Sequence, residues 1–130
     1  MGEISNPTRI LIVDDHTDGA DSLAALLSQA GMSVEVAYSG EDALGIARRF
    51  LPDVVILDLN LPDMDGFEVA RYLRADPLLH DAALLSFSGR TDVEVLALGK
   101  RAGIDAHLSK PADSRLILST IERVRRLPRP

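Results

Sequence analysis

The stretch that most constrains this chain is Pro52-Asp53-Val54-Val55-Ile56-Leu57-Asp58-Leu59-Asn60-Leu61-Pro62-Asp63-Met64-Asp65-Gly66. Its unbroken apolar run, Val54 to Leu57, is too short for a helix and is rich in β-branched residues. Such a run reads as a strand covered on both faces, as in the middle of a parallel sheet. Asp58 stands at its end, and Leu61-Pro62 and Asp63-Met64-Asp65-Gly66 then supply a loop and a helix start. A charged side chain at the carboxyl end of a buried strand lies in the crevice where open α/β sheets bind ligands. Asp58 is therefore the expected centre of the chemistry.

The rest of the chain repeats the pattern. Arg9 to Val13 is a second buried-strand run, and it ends on Asp14-Asp15. Leu23, Leu26, Leu27 and Ala30 follow at helical spacing, and Gly31 supplies the stop. Val34 to Tyr38 reads as a strand, and Ser39 with Asp42 three places on introduces a helix striped by Ala43, Ile46, Ala47 and Phe50. After the central strand a helix runs from about Gly66 to Ala75 and stops before Pro77. Ala82 to Phe87 is the fourth strand, leading to Ser88-Gly89. Thr91 then caps a helix carrying Val95, Leu98 and Ala102, closed by Gly103. Ile104 to Leu108 is a short fifth strand before Lys110-Pro111, and a last helix starts near Asp113 with Ile117, Thr120, Ile121 and Val124 on one face. Five βα units joined by short connections require a doubly wound five-stranded parallel sheet with right-handed crossovers and helices on both faces. Residues 1–8 read as a flexible leader, 9–126 as one domain and 127–130 as a tail.

Composition narrows the function. The chain has no cysteine, which removes disulfides, thiolate metal sites and cysteine nucleophiles. A formal net charge of -6 disfavours direct nucleic-acid binding, which needs clustered cations. Arg123, Arg125, Arg126 and Arg129 crowd the last turns, where cations suit a helix C-terminus. No apolar run reaches the length of a membrane span and no signal-peptide core is present, so a cytoplasmic location is expected.

In a parallel sheet every strand's carboxyl end lies on the same edge. Asp14, Asp15, Asp58, Ser88 and Lys110 should thus collect on one rim. Each alone reads as a cap or a loop residue; five together point to a site. Carboxylates near 4 Å repel by about 4 kcal/mol per pair at an effective dielectric near 20. The cluster requires cations: Lys110 gives one charge, and Mg²⁺ (or Mn²⁺) suits the oxygen donors and accepts a phosphate oxygen. A carboxylate beside such an ion and a lysine is equipped to attack a phosphoryl group and form an aspartyl phosphate.

These residues resemble a known family. Asp14-Asp15 after a first strand, Asp58 in VVILDLNLPDMDG, Ser88-Gly89 after ALLSF, and HLSKP around Lys110 together resemble the receiver domain of two-component response regulators, from about Arg9 to Arg126. The resemblance implies a flavodoxin-like fold of strand order 2-1-3-4-5. It implies that Asp58 accepts a phosphoryl group from a histidine kinase or a histidine phosphotransfer protein. Asp15 would bind Mg²⁺ directly, Asp14 mainly through water, and the Asn60 backbone carbonyl would be a further ligand alongside Asp58. Lys110 would pair with phosphoryl oxygens, its bond to Pro111 would be cis, and Ser88 would fill the hydroxyl position that moves to bond the phosphoryl group. The fourth helix, fifth strand and fifth helix would form the output face, which meets partners or dimerises in the family. Such a chain is a signalling domain rather than an enzyme, standing alone or serving as a module of a hybrid histidine kinase.

One position departs from the pattern. The residue three before the lysine is usually an aromatic that swings inward on activation, and here it is His107. An imidazole can rotate, but it buries less apolar surface and titrates near neutrality. His107 reads either as the switch residue or as an exposed residue on a short strand. His16 adjoins the acidic pair and reads first as a solvated loop residue and second as one that touches the pocket; His80 lies in a polar loop. Asn60 and Arg90 sit beside the expected reaction site.

Three other readings fit less well. An Mg²⁺-dependent aspartyl-phosphate phosphatase needs D-x-D, but Asn60 stands two places after Asp58. A calcium loop would put its first and twelfth ligands on Leu61 and Tyr72. A flavin phosphate would be repelled by the Asp14-Asp15-His16-Thr17-Asp18 loop.

Overall fold

The computed structural model describes residues 6–90 and 92–127. The ten elements are β1 (Arg9–Val13), α1 (Thr17–Gln29), β2 (Ser33–Ala37), α2 (Gly40–Phe50), β3 (Val54–Leu57), α3 (Gly66–Ala75), β4 (Ala83–Ser88), α4 (Val93–Ala102), β5 (Ala106–Ser109) and α5 (Ser114–Arg125). All four strand pairs are parallel, in the order β2-β1-β3-β4-β5. This is the expected doubly wound, flavodoxin-like sheet, with boundaries within two residues of those read from the sequence.

The continuous apolar runs are explained by where each face goes. In β1 and β3, Leu11, Val13, Val55 and Leu57 join the core under α2, α3 and α4, against Ala47, Val69, Leu73 and Val95. Ile10, Ile12, Val54 and Ile56 point the other way, into a core closed by Leu23 and Leu27 of α1 and Ile117, Ile121 and Val124 of α5. Alternate residues thus serve two cores, and no polar position is tolerated inside the central strands. Truncating Leu57, fully buried, to alanine removes about 2–5 kcal/mol.

Local signals set the helix ends. The Ser39 hydroxyl accepts from the Asp42 N–H at 3.1 Å, as expected for a cap. Gly31 and Gly103 take φ of 92° and 90°, the left-handed geometry that ends α1 and α4. Leu51 does the same job after α2 at φ 53°, where a side chain is costly. The start of α4 differs from expectation. Thr91 lies outside the described residues, and Asp92 is the cap, its carboxylate accepting from the Val95 N–H at 2.9 Å. Of the arginines near the end of α5, Arg125 and Arg126 pair with Glu122, at 2.7 and 3.2 Å. The expected leader and tail fall largely outside the described residues, as does Arg129. Among the described residues no helix is long and apolar enough to cross a membrane.

Candidate functional site

The register of the two central strands builds the pocket. Val13 lies opposite Leu57, so the residues that follow, Asp14 and Asp58, leave the sheet side by side. Sheet bonding continues one step beyond each strand: the Asp14 N–H donates to the Ala37 carbonyl at 3.0 Å, and the Asp58 N–H to the Val13 carbonyl at 2.8 Å. Both carboxylates are buried, at 6% and 4% exposure, which no isolated charge tolerates. Their compensation comes from β5. The Lys110 N–H donates to the Ser88 carbonyl at 2.9 Å, which fixes the start of the β5–α5 loop. The Lys110 ammonium donates to Asp14 Oδ2 at 2.7 Å and to Asp58 Oδ2 at 3.1 Å, and lies 5.4 Å from the centre of the Phe87 ring. The Lys110–Pro111 bond is cis, as expected.

The charges are strongly linked. Burial pushes the Asp14 carboxyl up, but hydrogen bonds from Lys110 and from the His16 backbone and ring overcome it and hold the group below its ordinary range. Burial also opposes the charge on Lys110, and its bonds to Asp14 and Asp58 prevail, raising its pKa.

His16 is a solvent-exposed loop residue, as expected, and its ring nonetheless reaches the pocket. Its Nδ1 lies 2.9 Å from Asp14 Oδ1, 3.4 Å from Asp15 Oδ1 and 3.7 Å from Asp58 Oδ2. The hydrogen bond to Asp14 raises the pKa of the ring. His80 instead forms an exposed pair with Asp81 at 3.0 Å.

The remaining expected residues sit around this centre with different partners. The Asn60 N–H donates to Asp58 Oδ1 at 2.9 Å, so each oxygen of Asp58 has a donor. Gly66 lets the tip of α3 approach: a Cβ there would lie 2.6 Å from the Asp58 carbonyl oxygen and 2.7 Å from Leu59 Cα. Ser88 is buried, but its hydroxyl accepts from the Arg90 N–H at 3.2 Å and is held by its own loop. His107 is half-buried, and its Nδ1 lies 2.6 Å from Ser86 Oγ, its registered partner on β4. Its Nε2 is buried without a hydrogen-bond partner among the described residues. Burial lowers the pKa of the ring; the nearby Arg90 backbone offsets part of that effect without reaching hydrogen-bond geometry. A cavity of about 550 Å³ opens beside His107, lined by Ser86, Val95, Gly99, Ile104 and Ala106 among others.

Several supporting residues escaped the sequence reading. Asp63, expected only as part of a turn, caps α2 from 23 residues away, its two oxygens accepting from the Gly40 and Glu41 N–H groups at 2.9 Å. Those bonds lower its pKa. Arg74 fastens α3 to the connections leading into β4 and β5, donating to the carbonyls of Ala82 and Gly103 and to the Asp105 carboxylate. The spacing of these residues carries no local signal for such contacts.

The acidic pocket fits a hard divalent ion. Asp14, Asp15, His16 and Asp58 each present one donor atom, all within 4.8 Å of one another. Asp15 Oδ1 is buried and has no hydrogen-bond partner among the described residues, so a carboxylate oxygen is held inside the pocket for something else. Carboxylate oxygens with room for water are the donors that Mg²⁺ prefers.

Comparison with known proteins agrees with this arrangement. The model of the response regulator receiver domain matches residues 10–122. The response regulator MprA of Mycolicibacterium vanbaalenii is 41% identical over 105 residues, 81% of this chain and 45% of the relative. The DNA-binding response regulator MtrA of Mycobacterium tuberculosis is 35% identical over 119 residues, 91% of this chain and 51% of the relative. The chain thus spans about half the length of these relatives. The chemotaxis protein CheY4 of Vibrio cholerae superposes with a TM-score of 0.88 at 32% identity, covering 92% of this chain and 99% of that one. A receiver match over most of the length, on a sheet that gathers its acidic residues and lysine at one rim, places this chain in the response regulator receiver domain family.

Proposed function

We propose that this chain is the phosphoacceptor of a two-component phosphorelay, with Asp58 taking a phosphoryl group from a phosphohistidine on a histidine kinase or phosphotransfer protein. The observation that carries this reading is the Lys110 ammonium bridging two buried carboxylates, Asp14 and Asp58, that stand 44 and more residues from each other and from the lysine in sequence. Mg²⁺, or Mn²⁺ in its place, would be held by Asp15 and Asp58, by Asp14 mainly through water, and by the Asn60 backbone carbonyl. When bound, the ion neutralises charge on the phosphoryl oxygens and fixes their position.

The chain's own residues supply the rest. The Asn60 N–H and the Lys110 ammonium hold the Asp58 carboxylate in one orientation, so little reorganisation remains before attack. The Asp58 oxygen forms an O–P bond as the P–N bond of the phosphohistidine breaks; the departing imidazole keeps the electron pair and is protonated from solvent. Lys110 then shifts from a carboxylate oxygen to a phosphoryl oxygen, and Ser88 exchanges its Arg90 contact for a donated bond to the same group. Two charge-assisted bonds of about 1.5–3 kcal/mol each are of the size needed to move a two-state loop. About 5.5 kcal/mol takes a population from 1:99 to 99:1.

The output is a changed surface on α4, β5 and α5, with His107 as the residue that reports the Ser88 movement. Val93, Leu96 and Leu116 on the two helices are exposed, which suits contact with a protein partner or a second copy. The chain acts as a signalling domain. An aspartyl-phosphate phosphatase reading lacks its second carboxylate, because Asn60 occupies that place.

The test is labelling by acetyl phosphate with Mg²⁺, followed by mass spectrometry. Wild-type protein gains one phosphoryl group, and Asp58→Asn gains none. Undiminished labelling of that variant would move the acceptor to another residue.

A further inference from the structure

His16 has a position that phosphoryl acceptance does not use. It is the N-cap residue of α1, yet its side chain makes no capping bond. Its ring is 69% exposed and free to turn into solvent, but it faces inward with Nδ1 2.9 to 3.7 Å from oxygens of three carboxylates. The loop holds it there, because the His16 N–H also donates to Asp14 Oδ1 at 2.9 Å. Asp14 divides its oxygens between two neighbours: Oδ2 faces Lys110 and Oδ1 faces His16. Lys110 therefore occupies the β5 side of the pocket, and the imidazole occupies the open α1 side.

We propose that His16 Nδ1 is a protein ligand to the divalent ion of this pocket, and that it biases the pocket from Mg²⁺ towards first-row transition ions, of which Mn²⁺ is the hardest. The inference rests on the metal-assisted reading given above. Its geometric basis is the spacing of donors. Ligands bonded at about 2.1 Å stand about 3 Å apart along the edge of an octahedron and slightly further apart in a tetrahedron. The separation of 3.4 Å from Nδ1 to Asp15 Oδ1 lies in that range and the 3.7 Å to Asp58 Oδ2 lies just beyond it, so a small turn of the exposed ring brings Nδ1 onto an ion shared with those two carboxylates, while Asp14 Oδ1 at 2.9 Å stays beside the ring. Its chemical basis is the donor type. Mg²⁺ favours oxygen and water, whereas imidazole nitrogen suits Mn²⁺ weakly and the later first-row ions increasingly well. With Nδ1 on the ion, the ring proton sits on Nε2, and an exposed ring lets water accept it. Asp15 Oδ1, without a hydrogen bond among the described residues, lies 3.4 Å from Nδ1 and completes the same face of the site.

Pulsed electron paramagnetic resonance of the full chain loaded with Mn²⁺ tests this directly, with Mn²⁺ and Mg²⁺ affinities measured in parallel by calorimetric competition. Wild-type protein and a His80→Ala control show modulation from a directly bound ¹⁴N nucleus, and His16→Ala does not. The preference for Mn²⁺ over Mg²⁺ falls about tenfold or more in His16→Ala, since even outer partners of metal ligands change affinity by about that much. Mn²⁺ bound with no nitrogen coupling, or coupling that survives in His16→Ala, overturns the role of His16 and leaves the acidic pocket standing. Failure of both ions to bind, or an Asp15→Asn variant with unchanged affinity, overturns the pocket reading as well.

Discussion

The two ends of the functional rim are built on opposite physical terms. At the β1–β3 end, Asp14 and Asp58 are buried side by side and held by Lys110, with every oxygen of the pair facing a donor. At the β4–β5 end, Ser86 and His107 face each other across the register, one ring nitrogen has no hydrogen-bond partner among the described residues, and a cavity of about 550 Å³ lies alongside. The first end concentrates charge and removes freedom; the second leaves space and an unsatisfied group. Tight charge compensation suits a place where a reacting atom must be held. Missing volume beside a rotatable ring suits a place where two packings must be close in energy. Between them runs Ser88, whose hydroxyl is held by the Arg90 N–H and whose carbonyl is held by Lys110.

The largest effect comes from removing the cation. Lys110→Met should lower the rate of Asp58 labelling by about a hundredfold or more, the usual loss when a donor to developing phosphoryl or oxyanion charge is deleted. Its effect on stability has a defined sign. In the wild type, net lowering of the Asp14 pKa gives stability that is full above the unfolded value of 3.8 and is lost as pH falls through the lower folded value. Without Lys110, its hydrogen bond and its charge no longer oppose burial, so the Asp14 pKa rises relative to the wild type and that stability is reduced. Urea unfolding should show a larger loss of stability in the variant at pH 7 than at about pH 3, where the wild type is already losing the same contribution. A uniform loss at both pH values would mean that the lysine acts through packing on Phe87 instead.

A smaller effect is expected where backbone approach limits the charged end. Gly66→Ala places a methyl group 2.6 Å from the Asp58 carbonyl oxygen and 2.7 Å from Leu59 Cα, and neither backbone atom can rotate away. The tip of α3 must shift, which costs about 1–3 kcal/mol. The shift carries Asp58 with it, so labelling slows together with the fall in urea midpoint. Gly99→Ala, on α4 at the cavity end, meets nothing nearer than 3.7 Å and should change both measurements little.

This contrast also separates what the sequence made readable from what it did not. The apolar runs ending on Asp14 and Asp58 were readable because burial on both faces leaves no polar position in a strand, and a parallel sheet puts such ends on one edge. The stops at Gly31 and Gly103 and the cap at Ser39 were readable because their partners lie within four residues. Asp63 sits in a turn as its sequence context indicates, but its capping role is not legible there, because its partners, Gly40 and Glu41, are brought near only by the β2–α2 and β3–α3 connections packing together. The pairing of Ser86 with His107 depends on the β4–β5 register, which no local pattern encodes. The exposure of His16 follows the rule for a loop imidazole; its inward orientation depends on Asp14 binding both its backbone and its ring, a contact that spacing alone does not encode.

The smallest predicted effect sets the two histidines against each other. Burial lowers the pKa of His107 from 6.5, so the folded chain binds that proton less readily than the unfolded chain. Its contribution to stability is full above pH 6.5 and is lost as pH falls through the folded value. The Asp14 contact raises the pKa of His16 from 6.5, so its contribution is full below pH 6.5 and is lost as pH rises through the folded value. The histidines together therefore favour a stability maximum near pH 6.5, with His107 shaping the acid side and His16 the alkaline side. His107→Phe removes the acid-side loss and fills part of the adjoining cavity, while Ser86 Oγ keeps the Ala106 carbonyl at 3.4 Å as an acceptor. Its gain should be about 1 kcal/mol at pH 5, in the range of cavity-filling substitutions, and should shrink towards pH 7. Urea midpoints measured from pH 5 to 8 in the absence of divalent ions resolve the two limbs. If His107→Phe leaves the acid limb unchanged, the ring is not buried when neutral and the β4–β5 end is no looser than the rest of the rim.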